Sequence, residues 1–260
     1  MTLFNVTEEA RHYDQRVSKR QDPSSVNIRE IFERRTKKGV YCWFYEKRLY
    51  ETLRNIPKCK ILDMACGTGF LSVLLAKFGH NVVAIDISIG SIEYAKELAL
   101  VNGVANKIEF KVMDASKLEF DDNTFDYITG EDALHHIIKY TGAIDHIYRV
   151  LKPGGIVILH EPFAFNPLIN LLRFINVRIK HYEGEQFLGR KELKLMKKAF
   201  DEVTITDRSV LYPFARFFIN DTPLNRRINL IARKIDTIFQ RTVPFASRIY
   251  ALGFVEMKKN

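Results

Sequence analysis

Between residues 60 and 161 the chain alternates short apolar runs with amphipathic ones, and this constrains the fold more than any other feature. "KILDMA" (60–65), "NVVAIDI" (81–87), "KIEFKVMD" (107–114), "FDYITG" (125–130) and "IVILHE" (156–161) are short and largely β-branched or aromatic, so they read as strands. The stretches 68–78, 90–103 and 142–151 read as helices, the second closed by Gly103 and the third by Lys152-Pro153-Gly154-Gly155. Strands alternating with helices of this length predict a parallel sheet wound by right-handed crossovers, an α/β doubly wound fold. Further on, 202–207 and 250–259 are strand candidates for a terminal antiparallel pair.

A chain of 260 residues that is 47% hydrophobic suffices for one large α/β domain with insertions. No apolar run reaches the roughly 18 residues that a membrane-spanning helix needs. The opening residues, MTLFNVTEEARHYD, lack the charged-then-apolar pattern of a secretory signal. Cys42, Cys59 and Cys66 form no CxxC, so neither a disulfide framework nor a metal site is expected, and a reducing, cytoplasmic setting is.

The glycine turn in "ILDMACGTGF" (61–70) falls where a first strand meets its helix. In an open parallel sheet, ligands bind outside the carboxyl ends of the strands. Gly67 and Gly69 have no Cβ, so they serve either a sharp turn alone or a close approach of ligand to backbone. Three acids favour the ligand. Asp63, Asp86 and Asp114 fall at three successive strand ends, where carboxylates suit ribose hydroxyls and an adenine amino group. The rim is acidic and has no P-loop lysine, which points to an adenosine with few or no phosphates. A nicotinamide dehydrogenase is disfavoured, because the third glycine position of GxGxxG is Ser72.

"ILDMACGTGF", "VVAIDIS", "KVMDASKLEF", "NTFDYITGEDALHHI" and "RVLKPGGIVILHE" resemble, in order and spacing, the motifs of class I S-adenosylmethionine-dependent methyltransferases. The resemblance is greatest to the branch of small-molecule and quinone-biosynthesis enzymes, and covers 58–161 well and 200–258 less well. Ala65 stands where that family usually has glycine. The resemblance implies a Rossmann-like, mostly parallel seven-stranded sheet of order 3-2-1-4-5-7-6 with strand 7 antiparallel. It implies S-adenosyl-L-methionine as cofactor, with Asp63, Ala65, Gly67, Thr68 and Gly69 around the methionine part and Asp86 on the ribose. Ile87 would pack on the adenine, Asp114 and the Ala115 backbone would read its edge, and Glu131 would lie beside the sulfonium.

A sulfonium methyl is already activated, so its transfer needs alignment, desolvation and sometimes a base. His135 and His136, just after the fourth strand, are the candidate bases, against a structural role at a helix start; His160 with Glu161, and more remotely His181 and Glu183, are alternatives. The stretch after that strand reads "GEDA", not the Asn/Asp-Pro-Pro-Tyr/Phe of enzymes that methylate base amines, and no cysteine lies there for cytosine C5 chemistry. An oxygen, carbon or nitrogen of a small or lipid-linked molecule is therefore the expected acceptor.

The flanking segments complete a single domain spanning 1–260: a helical N-terminal lid (1–57), the cofactor core (58–161), acceptor-side insertions (162–199 and 208–249) and terminal strands (200–207 and 250–259). Tyr13, Trp43, Phe44 and Tyr45 are candidates either to cover the cofactor, Tyr13 above all, or to pack on the core. The net charge of +9 sits at the periphery, with nine basic against four acidic residues in 11–38 and seven against two in 211–248. Such a surface attracts phosphates, nucleic acid or anionic lipid. In the second segment Ile228, Ile231, Ile235 and Ile238 share one helical face among Arg226, Arg227, Arg233, Lys234 and Arg241. That helix either docks its apolar face on the domain or makes peripheral contact with a membrane. RNA or protein methylation, or cofactor binding without turnover, are the alternative functions; no appended nucleic-acid module supports the first.

Overall fold

The computed structural model describes residues 6–20, 22–40, 43–171, 187–210, 220–243, 245 and 248–260. His181, Glu183, Arg216 and Cys42 lie outside the described residues, as does the Trp43 side chain. Among the described residues, β1 (Lys60–Met64), β2 (Asn81–Asp86), β3 (Ile108–Val112), β4 (Phe125–Glu131), β5 (Leu151–Pro162), β6 (Glu202–Ser209) and β7 (Leu252–Lys258) form one sheet. Its order is β3-β2-β1-β4-β5-β7-β6, and β7 runs antiparallel to both β5 and β6. The expected architecture is the one observed. Boundaries shift by a residue or two, except that β5 starts at Leu151, because Leu151 pairs with Phe125 before a register shift.

Helices flank the sheet as α1 (Val6–Val17), α2 (Ile28–Thr36), α3 (Trp43–Asn55), α4 (Phe70–Lys77), α5 (Ile89–Val101), α6 (Leu134–Ile137), α7 (Ala143–Val150), α8 (Arg190–Ala199) and α9 (Pro223–Thr242). Successive strand residues face opposite sides. Ile61, Val82, Ala84, Ile158 and Phe254 therefore pack with α2–α5, while Leu62, Val83, Ile85, Val157 and Val255 pack with α6–α8. Near-continuous burial on both faces is what a central parallel sheet requires. The register sets Asp63 beside Ala84 and Thr129, and Glu131 beside His160. The alternation then puts Asp63, Asp86, Glu131 and His160 on the α2–α5 side. Among the described residues no helix is long and apolar enough to cross a membrane, and no cluster of metal-ligating side chains occurs.

One element departs from a simple amphipathic pattern. In α9 the buried residues are Asn229 and Asp236, while Ile231, Ile235 and Ile238 are each at least half exposed. The docked arrangement considered from sequence, with the isoleucines inward, is not the one adopted. Ile228 is half-buried, and the helix docks through Phe239, Ala232 and polar groups: Asn229 Nδ2 donates to the Gly39 carbonyl at 2.8 Å, and Asp236 accepts from the Val210 N–H at 3.0 Å.

Candidate active site

After β1 the chain turns through residues that need a left-handed backbone. Ala65 has φ +52°, Gly67 +52° and Gly69 +79°. The two glycines serve different ends. A Cβ at Gly69 would stand 2.6 Å from the Ala95 Cβ, so this glycine lets α4 approach α5. A Cβ at Gly67 would meet nothing within 4 Å, so this glycine borders open space at the strand ends.

The acids surround that space. Asp63 is buried and accepts from Ser72 Oγ at 2.5 Å through one oxygen. Its other oxygen is buried and has no hydrogen-bond partner. Burial pushes the Asp63 carboxyl up to about 8. Removing a carboxylate from water without pairing it costs free energy, and a cationic donor recovers that cost. At the end of β2, Asp86 accepts the Gly67 N–H at 2.8 Å and the Ser88 N–H at 2.9 Å. Burial raises its carboxyl against these two bonds, and each oxygen keeps a further lone pair. Asp114, just past β3, accepts the Ser116 N–H at 2.8 Å, while Ala115 is buried and Ile87 and Thr68 are half-buried around the same opening.

At the end of β4 the structure adds residues that sequence reading missed. Both Glu131 oxygens accept from Arg35 Nη1, at 2.8 and 2.9 Å, and Tyr50 donates to the same carboxylate. The Arg35 guanidinium also lies over the Phe70 ring at 4.5 Å. Burial opposes the charge on Arg35, but Glu131, Tyr50 and Glu46 outweigh it and raise its pKa. Glu46 Oε2 has no hydrogen-bond partner, and burial holds its carboxyl up at about 8. Asp132 is exposed; desolvation by the protein around it, then the charge of Glu161, raises its carboxyl to about 7. His160 stacks on Tyr45 with ring centroids 4.2 Å apart, its Nε2 has no partner, and burial lowers it to about 4.

The two candidate bases differ. His135 is buried, and its Nδ1 lies 2.7 Å from Glu161 Oε2. Glu161 also accepts the Ala133 and Leu134 N–H groups at 3.0 and 2.7 Å, which satisfies donors at the start of α6. His136 is half-buried, and burial, then His135, lowers it to about 3.

Tyr13 meets His136 edge-on with centroids 6.5 Å apart, through α1. That helix is anchored on both sides of the opening. Asp14 accepts from Ser88 Oγ at 2.6 Å and from the Gly90 N–H at 3.0 Å, and Glu9 pairs with Lys139. Phe44 and Tyr45 instead pack against Arg233, with its guanidinium 4.1 and 5.7 Å from the two rings.

Comparison with known proteins accords with this geometry. Residues 62–159 match the family model described as a methyltransferase domain. Phosphoethanolamine N-methyltransferase 3 of Arabidopsis thaliana is 38% identical over 165 residues, which is 63% of this chain and 33% of that protein. Demethylmenaquinone methyltransferase of Clavibacter sepedonicus is 38% identical over 102 residues, covering 39% of this chain and 40% of that protein. The chain thus spans well under half the length of either relative. Among solved structures, a geranyl diphosphate methyltransferase in complex with geranyl diphosphate and sinefungin superposes with TM-score 0.60 at 13% identity, covering 98% of this chain and 99% of that one. That likeness carries the fold alone. The fold and the matched core are those of the class I methyltransferases.

Proposed function

We propose that this chain transfers the methyl group of S-adenosylmethionine to a carbon, oxygen or nitrogen of a small or lipid-linked acceptor with an apolar body. The observation that carries the reading is the buried, unpartnered Asp63 oxygen beside the open space at Gly67, with Asp86 and Asp114 at the next two strand ends. An amine, a pair of ribose hydroxyls and an adenine amino group present donors in the matching order. The named activities of the relatives, on phosphoethanolamine and demethylmenaquinone, support a small acceptor.

When bound, the cofactor supplies a methyl on positive sulfur, ready for in-line displacement. In this reading Asp63 accepts from its ammonium, Asp86 accepts both ribose hydroxyls, Asp114 takes the adenine amino group, and Ile87 packs on the ring. Ala65, Thr68, Gly69 and the Ala115 backbone shape the remaining walls. Glu131, held by Arg35 and Tyr50, lies beside the cationic centre. Tyr13 and α1 cover the opening and keep water out. His136 is neutral but weakly basic at a pKa of about 3, and His135 is committed to Glu161. Asp132, at about 7, is better matched to accept a proton near neutral pH.

The test is incubation with methyl-labelled S-adenosylmethionine and separate pools of lipids, water-soluble metabolites, RNA and protein. The reading requires label in a lipid or small-molecule product. Label in RNA or protein overturns the acceptor class, and bound cofactor with no label in any pool overturns turnover. For an acceptor that loses a proton, Asp132→Asn should remove the acidic limb of the pH–rate profile while leaving cofactor affinity intact; an unchanged profile excludes Asp132 as base.

A further inference from the structure

The outward face of α9 combines three observations. Leu224, Ile231, Ile235 and Ile238 are 66, 59, 50 and 51% exposed and lie in one stripe of the helix. Arg227, Lys234 and Arg241 are exposed beside that stripe and make no ion pair among the described residues. Neither acid near the helix offsets them: Asp236 is buried, and Asp221 is paired with Lys37 and Arg226. Among the described residues of this helix, the face presented outward is therefore apolar and cationic.

The inner face explains how such a surface persists. Asn229 and Asp236 bond to backbone, Gln240 donates to the Arg208 carbonyl, and Arg233 lies 3.6 Å from Asp207 and donates to Ser209 Oγ at 3.1 Å. These polar contacts, with Phe239 and Ala232 packed on the domain, hold the helix, and Ile231, Ile235 and Ile238 are left facing outward. Arg226 and Arg233, placed by the sequence around the isoleucine face, belong to this inner side.

We propose that α9 is an interfacial helix that seats this rim of the molecule on an anionic lipid surface. An apolar stripe flanked by Lys and Arg is the pattern of helices that lie in the plane of a bilayer. Each basic residue near an anionic surface adds to the attraction. Charge complementarity selects lipid over a second copy of the chain, because two such faces together would oppose two rows of unpaired cations. Location adds a consequence. Asp207, Ser209 and Val210, on which α9 docks, lie at the C-terminal end of β6, which runs parallel to β5. This is the same sheet edge as Asp86, Glu131 and His160. If the methyl-transfer reading holds, the acceptor side of the site faces the lipid, as an amphiphilic acceptor requires.

Co-sedimentation tests this with vesicles of phosphatidylcholine alone and with added phosphatidylglycerol, at low and high salt. Wild-type protein should bind the anionic vesicles and lose binding as salt rises, since screening acts over about 8 Å at physiological ionic strength. Replacing Arg227, Lys234 and Arg241 by glutamine should weaken binding about a hundredfold. Ile231→Ser with Ile235→Ser and Ile238→Ser, at exposed positions, should abolish it without unfolding the chain, as circular dichroism would check. S-adenosylhomocysteine affinity, measured on the same samples, should be unchanged in both variants. No vesicle binding by the wild type, or binding that both variants retain, overturns the proposal. So does a dimer that the isoleucine variant dissociates while no lipid is bound. Vesicle binding without S-adenosylhomocysteine binding would leave this proposal standing and remove the methyl-transfer reading instead.

Discussion

Ala65 holds a left-handed conformation at φ +52°, which costs a residue with a Cβ about 1–2 kcal/mol. Ala65→Gly should therefore raise stability by about 0.5–1 kcal/mol after the added freedom of the unfolded chain is subtracted. A lower denaturation midpoint would show that the methyl group makes contacts worth more than the strain. The neighbouring glycines separate packing from binding. Gly69→Ala drives a Cβ to 2.6 Å from Ala95 and should destabilise the fold by about 1–3 kcal/mol, whereas Gly67→Ala should leave the α4–α5 contact intact and lower S-adenosylhomocysteine affinity. Equal effects of the two on affinity and stability would contradict that division. The titrating groups add a pH signature. Asp63 and Glu46 have folded values of about 8, and Asp132 about 7, all above those of an unfolded carboxyl. The folded state thus binds more protons than the unfolded state from about pH 4 upward, and their stabilisation is lost as pH rises to 8. His160 and His136 have the opposite sign: depressed to about 4 and 3, they lose stabilisation as pH falls from about 6.5 through those values. The two sets oppose each other in acid, so the ligand-free chain should lose stability from about pH 6.5 to 8. Thermal unfolding across that range checks this, and a midpoint that rises would contradict it.

At the scale of elements, the sheet was legible because each strand of the core is a short apolar run bounded by a turn. The pattern identified β1 to β5 and the terminal pair, and the resemblance supplied their order. Strand ends were less legible: Lys152-Pro153-Gly154-Gly155 looks like a helix terminator, yet Leu151 already pairs with Phe125. The acids at strand ends could be found because β1, β2 and β3 each stop near one. Arg35 and Tyr50 could not, since their partner Glu131 is 96 and 81 residues away and nothing local marks the contact. In α9, spacing showed that the isoleucines share a face but not which way it points; that was decided by Asn229 and Asp236, whose partners come from other segments. The same holds for α1, where Asp14 is one acid in a basic stretch until Ser88 and Gly90 are brought to it. Asp14→Ala removes two bonds to a carboxylate, each worth roughly 1.5–3 kcal/mol. It should speed amide hydrogen exchange across Val6–Val17 while the β-strands keep their protection; unchanged exchange in α1 would mean that Glu9 and Tyr13 suffice to hold it.

At the scale of the whole molecule, the sheet supplies a row of strand ends, the N-terminal helices close one side of it, and α9 lies along the same edge. On the proposed function, this edge binds an adenosine with a cationic amine and no phosphate. Titration calorimetry with S-adenosylmethionine, S-adenosylhomocysteine and NAD, repeated in two buffers of different ionisation enthalpy, tests it most directly. The first two ligands should bind in the micromolar range, about −8 kcal/mol, and NAD far more weakly. Asp86→Ala should cost at least tenfold in affinity for the two methyl-donor forms, as roughly 1.5–3 kcal/mol per lost hydrogen bond to a carboxylate implies. Below pH 8 binding should release a proton, because an ammonium at Asp63 favours the ionised carboxylate. NAD binding more tightly than either ligand, or Asp86→Ala leaving all three affinities unchanged, would contradict the account.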